Sequence, residues 1–106
     1  TRFENAPGTN PEELIAAAHA SCFTMALSFK LAEAGHENGQ LDTKCAVTLE
    51  KGDDGFAVTK SDLALVARVP GIDADEFEKI AADAKANCPI SKLLNCEISL
   101  KSELNG

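Results

Sequence analysis

The chain has 106 residues, with 10 Lys and Arg against 17 Asp and Glu, a net charge of −7 at pH 7. That length holds one domain, residues 1–106, with no room for a second core. The acidic balance argues against nucleic acid and against an anionic membrane surface, both of which select clustered positive charge.

Residues 1–9 contain Pro7, Gly8 and Thr9 and read as an extended lead-in. Asn10-Pro11-Glu12-Glu13 then predicts a helix start. Asn10 can cap, Pro11 suits the first helical position, and Glu13 stands where a capping box places its carboxylate. The helix is expected to run to about Ala34, with Gly35 as its stop. From Leu14 to Leu27, 11 of 14 residues are apolar, with no consistent polar face. A membrane span needs about 20 apolar residues, so the stretch reads as a buried helix. One small sheet cannot cover every side of it, and the surplus apolar surface predicts a second subunit.

Gln40 to Glu50 alternates, with Thr43, Cys45, Val47 and Leu49 on one side, and predicts a strand. Lys51-Gly52-Asp53-Asp54-Gly55 reads as a turn, and Phe56 to Val69 as the returning arm of a hairpin. The alternation of that arm slips near Lys60–Asp62, which suggests a bulge. After Pro70-Gly71, Asp73 is placed to cap a second helix, Glu76 to complete a capping box, and Ile72 to staple onto Phe77. Phe77, Ile80, Ala81 and Ala84 form that helix's apolar face. Pro89 starts a short helix through Leu94, and Cys96, Ile98 and Leu100 share one face of a last strand. The order is α-β-β-α-α-β, an α+β domain.

The four cysteines, Cys22, Cys45, Cys88 and Cys96, show no C-x-x-C spacing and are too sparse for a secreted disulfide scaffold. No signal-peptide pattern opens the chain, so a reducing cytoplasm is expected. Periodicity reads Cys45 and Cys96 as small core hydrophobes. Cys88 immediately precedes Pro89 and so stands at a helix cap, a place that lowers thiol pKa and that cysteine does not usually occupy. Cys22 lies in mid-helix and, taken alone, reads as a core residue. If it is reactive, its cation must come from elsewhere. His19 is three residues before Cys22 on the same helical face, which permits a Cys–His pair or two metal ligands. No second ligand pair follows at zinc spacing, so a satisfied core histidine is the plainer reading and no metal is expected. His36 follows the helix stop and reads as a loop residue.

The run from Gly8 through Asn10-Pro11-Glu12-Glu13-Leu14 to His19-Ala20-Ser21-Cys22-Phe23 resembles the OsmC/Ohr family, the osmotically induced protein C and organic hydroperoxide resistance proteins. Thr1-Arg2-Phe3-Glu4, Val69-Pro70-Gly71-Ile72-Asp73 and Ala86-Asn87-Cys88-Pro89-Ile90-Ser91 resemble its OsmC branch, so the likeness covers nearly the whole chain. The resemblance implies an intertwined α+β homodimer, with a long central helix packed against an antiparallel sheet and active sites at the subunit interface. It also implies additional β-strands ahead of the position of Thr1, which this sequence lacks. It implies a cytoplasmic antioxidant enzyme of the oxidative and osmotic stress response. That enzyme reduces organic hydroperoxides and hydrogen peroxide with two cysteines, an external dithiol or lipoyl-type reductant and no bound cofactor. Carried across by position, Cys22 matches the peroxidatic cysteine and Cys88 the resolving one. Arg2 matches the arginine that holds the thiolate, and Glu12 the glutamate that pairs with it.

The chemistry is compatible with those roles. Attack on an O–O bond needs a thiolate, and an ordinary thiol with pKa near 8.5 is only a few per cent ionised at pH 7. A guanidinium within about 4–6 Å can lower a pKa by about 1–3 units. Without the resemblance, Arg2 reads as an exposed arginine near a terminus. Ten residues separate Glu12 from Cys22, about 15 Å along one helix. A glutamate cannot span that distance, so a site holding both draws one of them from the other subunit. An apolar wall that includes Phe23 and Met25 is expected to favour organic peroxides. Two other functions fit the same thiols: a non-enzymatic redox sensor that works through a Cys22–Cys88 disulfide, and a structural stress-induced dimer whose thiols are all packing.

Overall fold

The computed structural model describes residues 11–36, 39–53 and 55–105. Helix α1 spans Pro11–Glu33, with Glu12 and Glu13 in its first turn, where carboxylates meet the positive end of the helix dipole, and Lys30 in its last. It ends as the sequence predicts. Gly35 takes φ 92°, a conformation without penalty only for glycine, and the His36 backbone N–H donates to the Leu31 carbonyl at 2.7 Å.

Strand β1, Gln40–Gly52, and strand β2, Gly55–Arg68, form an antiparallel hairpin closed by the pair Gly52↔Gly55. Gly55 takes φ 107°, which this tight reversal requires. The expected bulge is present. Thr48 pairs with Lys60 and Leu49 with Val58, so Thr59 is the extra residue, just upstream of the expected Lys60–Asp62. The bulge moves Ser61, Leu63, Leu65 and Ala67 onto the buried face.

Helix α2, Ala74–Asn87, buries Phe77, Ala81 and Ala84 as its periodicity predicts. Asp73 occupies the N-cap position but makes no side-chain cap hydrogen bond. Glu76 lies 3.5 Å from His36 instead, so His36 is not merely a loop residue. Helix α3, Pro89–Leu93, follows at once and leads to β3, Glu97–Leu104. The fold is α+β, and its sheet is mixed rather than wholly antiparallel. The order is β1-β2-β3, with β3 parallel to β2. The α2–α3 segment carries the chain back to the starting end of β2, and a crossover of that kind delivers a parallel strand.

The core lies between one stripe of α1, the inner face of the sheet and α2. On α1 the stripe is His19, Phe23, Leu27 and Leu31, all at most 2% exposed. Full burial of Phe23 or Leu27 contributes about 1.5–3 kcal/mol each. Thr24 Oγ1 donates to Thr43 Oγ1 at 2.6 Å and fastens α1 to β1, while Lys30 and Asp83 at 2.7 Å link α1 to α2. The opposite side of α1 is open in the single chain, where Leu14, Met25 and Phe29 are 58%, 60% and 67% exposed. The segment Glu12–Glu33 is long and apolar enough to cross a membrane by length and composition, yet here it packs on a sheet.

Candidate active site

Three elements meet where α1 passes α3. Helix α1 supplies Cys22, the junction of α2 and α3 supplies Cys88, and the first turn of α3 supplies a backbone donor, the Ile90 N–H. Cys88 is both the last cap of α2 and the first cap of α3, with an extended backbone (φ −62°, ψ 127°). Two successive helices therefore turn about this residue, and its side chain is fully buried. Cys22 is half-buried. This reverses the order read from the sequence, where Cys22 lay in the most apolar segment and Cys88 at a helix end. A helix that is apolar all round does not reveal which side its own sheet covers.

The thiols of Cys22 and Cys88 lie within hydrogen-bonding reach of each other, and the Ile90 backbone N–H donates to the Cys22 sulfur. Burial pushes the Cys22 thiol above its ordinary pKa, and the Cys88 thiol adds to that shift. The Ile90 N–H opposes it by stabilising the thiolate. All four cysteines are free thiols. The pair can therefore do what the resemblance expects of it, since one sulfur is reachable and a second is in contact behind it.

Beside the pair, His19 is fully buried. Its Nδ1 is 2.6 Å from Ser61 Oγ and its Nε2 is 2.8 Å from Ser91 Oγ. Burial lowers its pKa, so the ring is neutral at pH 7. It is the satisfied core histidine that the sequence suggested, in contact with two hydroxyls rather than paired with Cys22. Ser61 Oγ also lies 3.2 Å from Cys45 Sγ.

The other expected site residues are placed differently. Glu12 lies half-buried in the first turn of α1. Because α1 is continuous, Glu12 is about 15 Å along the axis from Cys22 and does not meet it within one chain. Arg2 lies outside the described residues. Phe23 is turned into the core at 0% exposure and lines no open surface, so it drops out of the expected apolar wall, whereas Met25 faces outward. Ala17, Ser21, Met25 and Phe29 line an open, largely apolar groove of about 690 Å³ along α1. Cys45 and Cys96 are half-buried rather than fully in the core. Sequence reasoning missed the Ile90 N–H, because a backbone donor leaves no mark in residue type. It also missed Ser61. Ser91 did fall inside the matched Cys88-Pro89-Ile90-Ser91 segment.

A mixed sheet backed by a long helix, with a half-buried thiol touching a buried one, defines a thiol-chemistry α+β domain. The chain belongs to the OsmC-like protein family, whose model matches residues 4–103. It is 55% identical over 104 residues to the Peroxiredoxin OsmC of Escherichia coli (strain K12), covering 98% of this chain and 73% of that one. It is 30% identical over 102 residues to the organic hydroperoxide resistance protein OhrB of Bacillus subtilis, covering 95% of this chain and 73% of that one. The crystal structure of that OhrB superposes with a TM-score of 0.70, covering 94% of this chain and 73% of the other. An OsmC-like protein from Mycoplasma pneumoniae superposes with a TM-score of 0.84 at 15% identity, covering 98% of this chain and 77% of that one, a likeness of fold alone.

Proposed function

We propose that the protein is a two-cysteine peroxidase that reduces organic hydroperoxides. The observation that carries this reading is the contact between a reachable Cys22 thiol and a buried Cys88 thiol from a separate element. The kinship to a peroxiredoxin and to hydroperoxide resistance proteins supports it.

The Cys22 thiolate attacks the terminal peroxide oxygen and the O–O bond breaks. The alkoxide leaves as an alcohol after taking a proton, and Cys22 is left as a sulfenic acid. The Cys88 thiolate then attacks the Cys22 sulfur, forming a disulfide and releasing water. A small-molecule or protein dithiol, becoming a disulfide itself, returns both thiols. Free thiols at all four cysteines suit the reducing compartment this cycle needs, and we place it in the cytoplasm.

An ordinary thiol is mostly protonated at pH 7, and burial raises the Cys22 pKa further. The reading therefore assigns the missing positive charge to Arg2, oriented by Glu12. Because Glu12 cannot reach Cys22 along its own helix, the site is composite and the protein a homodimer. The exposed side of α1 supports this. Ala18, Cys22, Met25 and Phe29 follow a 4-3-4 spacing, the seam along which two helices pack. A partner helix on that seam covers Met25 and Phe29 and brings its own first turn toward Cys22.

The test is consumption of cumene hydroperoxide and of hydrogen peroxide with excess dithiol, for the wild type and Cys22→Ser. Repeated turnover that the variant lacks, faster with the organic peroxide, is the expected result. A single turnover that stops despite abundant dithiol makes Cys22 a sensor, and no reaction makes it a packing thiol.

A further inference from the structure

Helix α3, which borders the reacting thiol, is short and rests on the core through half-buried Ile90. It has five residues, none of them buried, and Leu93 is 76% exposed. Its backbone bonds, Lys92 N–H to Cys88 O at 3.1 Å and Leu94 N–H to Ile90 O at 3.0 Å, close on its own segment. His19 Nε2 to Ser91 Oγ at 2.8 Å joins the side chains of α1 and α3. His19 is itself anchored from behind by Ser61 of β2, also 0% exposed, at 2.6 Å.

Two contacts between α1 and α3 thus run in register. His19 and Cys22 are one turn apart on α1, and Ser91 and Ile90 are adjacent on α3. One contact is His19 to Ser91, and the other is the Ile90 N–H to the Cys22 sulfur. We propose that His19 is a positioning residue for the reacting thiol: through Ser91 it holds the first turn of α3 so that the Ile90 N–H and the Cys88 thiol stay against Cys22. The inference rests on the reading above in taking Cys22 as the thiol that reacts.

The ring suits a fixed brace. As a neutral imidazole it donates from one nitrogen and accepts at the other, and either tautomer is satisfied because both partners are hydroxyls. It acts by hydrogen bonding, not as a counter-charge to the thiolate. The titratable groups near the assembly are Cys88 beside Cys22, and Cys45 beyond Ser61 at 3.2 Å. The device is a rigid row from sheet to helix to turn.

The experiment measures the rate of Cys22 alkylation by iodoacetamide from pH 6 upward, located by peptide mass, for the wild type, Ser91→Ala, Ser91→Thr and His19→Gln. Losing the Ile90 hydrogen bond leaves less thiolate, so Ser91→Ala is expected to react about three- to tenfold more slowly at pH 7. The gap should narrow only as the pH passes the Cys22 pKa, which burial raises, so the profile is followed until both rates level off; Ser91→Thr should restore most of the rate. A general loosening would instead scale the rate equally at every pH. Ser91 is half-buried on an exposed helix, so Ser91→Ala decides the matter even where His19→Gln fails to fold. Superimposable profiles for the wild type and Ser91→Ala, or a gap independent of pH, overturn the inference. Alkylation needs no peroxide, so a wild type without turnover sinks the peroxidase reading and leaves this test standing.

Discussion

The chain carries two neighbouring pairs of cysteines, and their surroundings differ. Cys22 and Cys88 touch, and a backbone N–H faces the Cys22 sulfur. Cys96 bears weakly on the Cys45 thiol, but strand β2 lies between β1, which holds Cys45, and β3, which begins just after Cys96. Strands two places apart are separated by about 10 Å, beyond the Cα spacing a disulfide tolerates. The Asp62 carboxylate adds a second distinction. Burial first, and then the Asp62 charge, push Cys45 and Cys96 above the ordinary thiol range, with a Ser61 hydrogen bond opposing this at Cys45. Burial raises Cys22 too, so the direction of the shift does not separate the pairs. What separates them is a thiol partner within reach against a carboxylate and an intervening strand.

The strongest way to break this comparison is to exchange the pairs' roles. Cys22→Ser should bring peroxide turnover down to the uncatalysed rate, while Cys45→Ala combined with Cys96→Ala should keep it within about twofold, as for substitutions away from the reacting atoms. A comparable loss in the sheet double variant would erase the distinction. Next, Arg2→Ala should slow turnover about tenfold to a thousandfold at pH 7 and recover at alkaline pH, because a removed positive charge is replaced by bulk ionisation. Equal rates at every pH would remove Arg2 from the site.

Smaller in rate but sharper in kind is Cys88→Ser. It should leave the first oxidation intact and stop the dithiol cycle, with a Cys22 sulfinic acid accumulating by mass spectrometry. After one equivalent of peroxide, the wild type should keep two titratable thiols of its four, located at Cys45 and Cys96. The smallest effect is on stability. The lowered pKa of His19 means the unfolded chain binds its proton first as pH falls. That stabilisation is complete above the ordinary imidazole pKa near 6.5 and is lost as pH drops toward the lowered folded value. Tm should therefore fall between pH 7.5 and pH 5, and less so in His19→Gln. An equal fall in both would locate the acid sensitivity elsewhere.

Much of the fold could be read from residue chemistry. Pro11 and Gly35 bound α1, alternation marks β1, and the shift from Phe56 and Val58 to Leu63 and Leu65 locates the bulge to within a few residues. The direction of β3 was less visible, since it depends on where the α2–α3 crossover delivers the chain. At the site, Cys22 and Cys88 stood out through resemblance, while their burial did not. That depends on which stripe of a uniformly apolar helix meets the sheet, and the stripe proved to be His19, Phe23, Leu27 and Leu31. Asp73 shows the converse limit. The residue type suits a cap and the position is a cap, yet the side chain makes no cap hydrogen bond.

The parallel pairing of β2 with β3 has a consequence in time. The α1–hairpin unit uses local contacts, whereas β3 can join only after residues 69–96 have been laid across the sheet. Cys88 travels on that excursion. A chain still completing it, on the ribosome or after a local opening, has Cys22 without its neighbour. Under the proposed cycle, a Cys22 sulfenic acid formed in that interval would have no Cys88 thiol beside it to condense with, and further oxidation to the sulfinic acid would be irreversible. On that proposal, the speed at which the crossover closes would limit how many molecules are lost to irreversible oxidation, and folding rate would become part of the protein's redox durability.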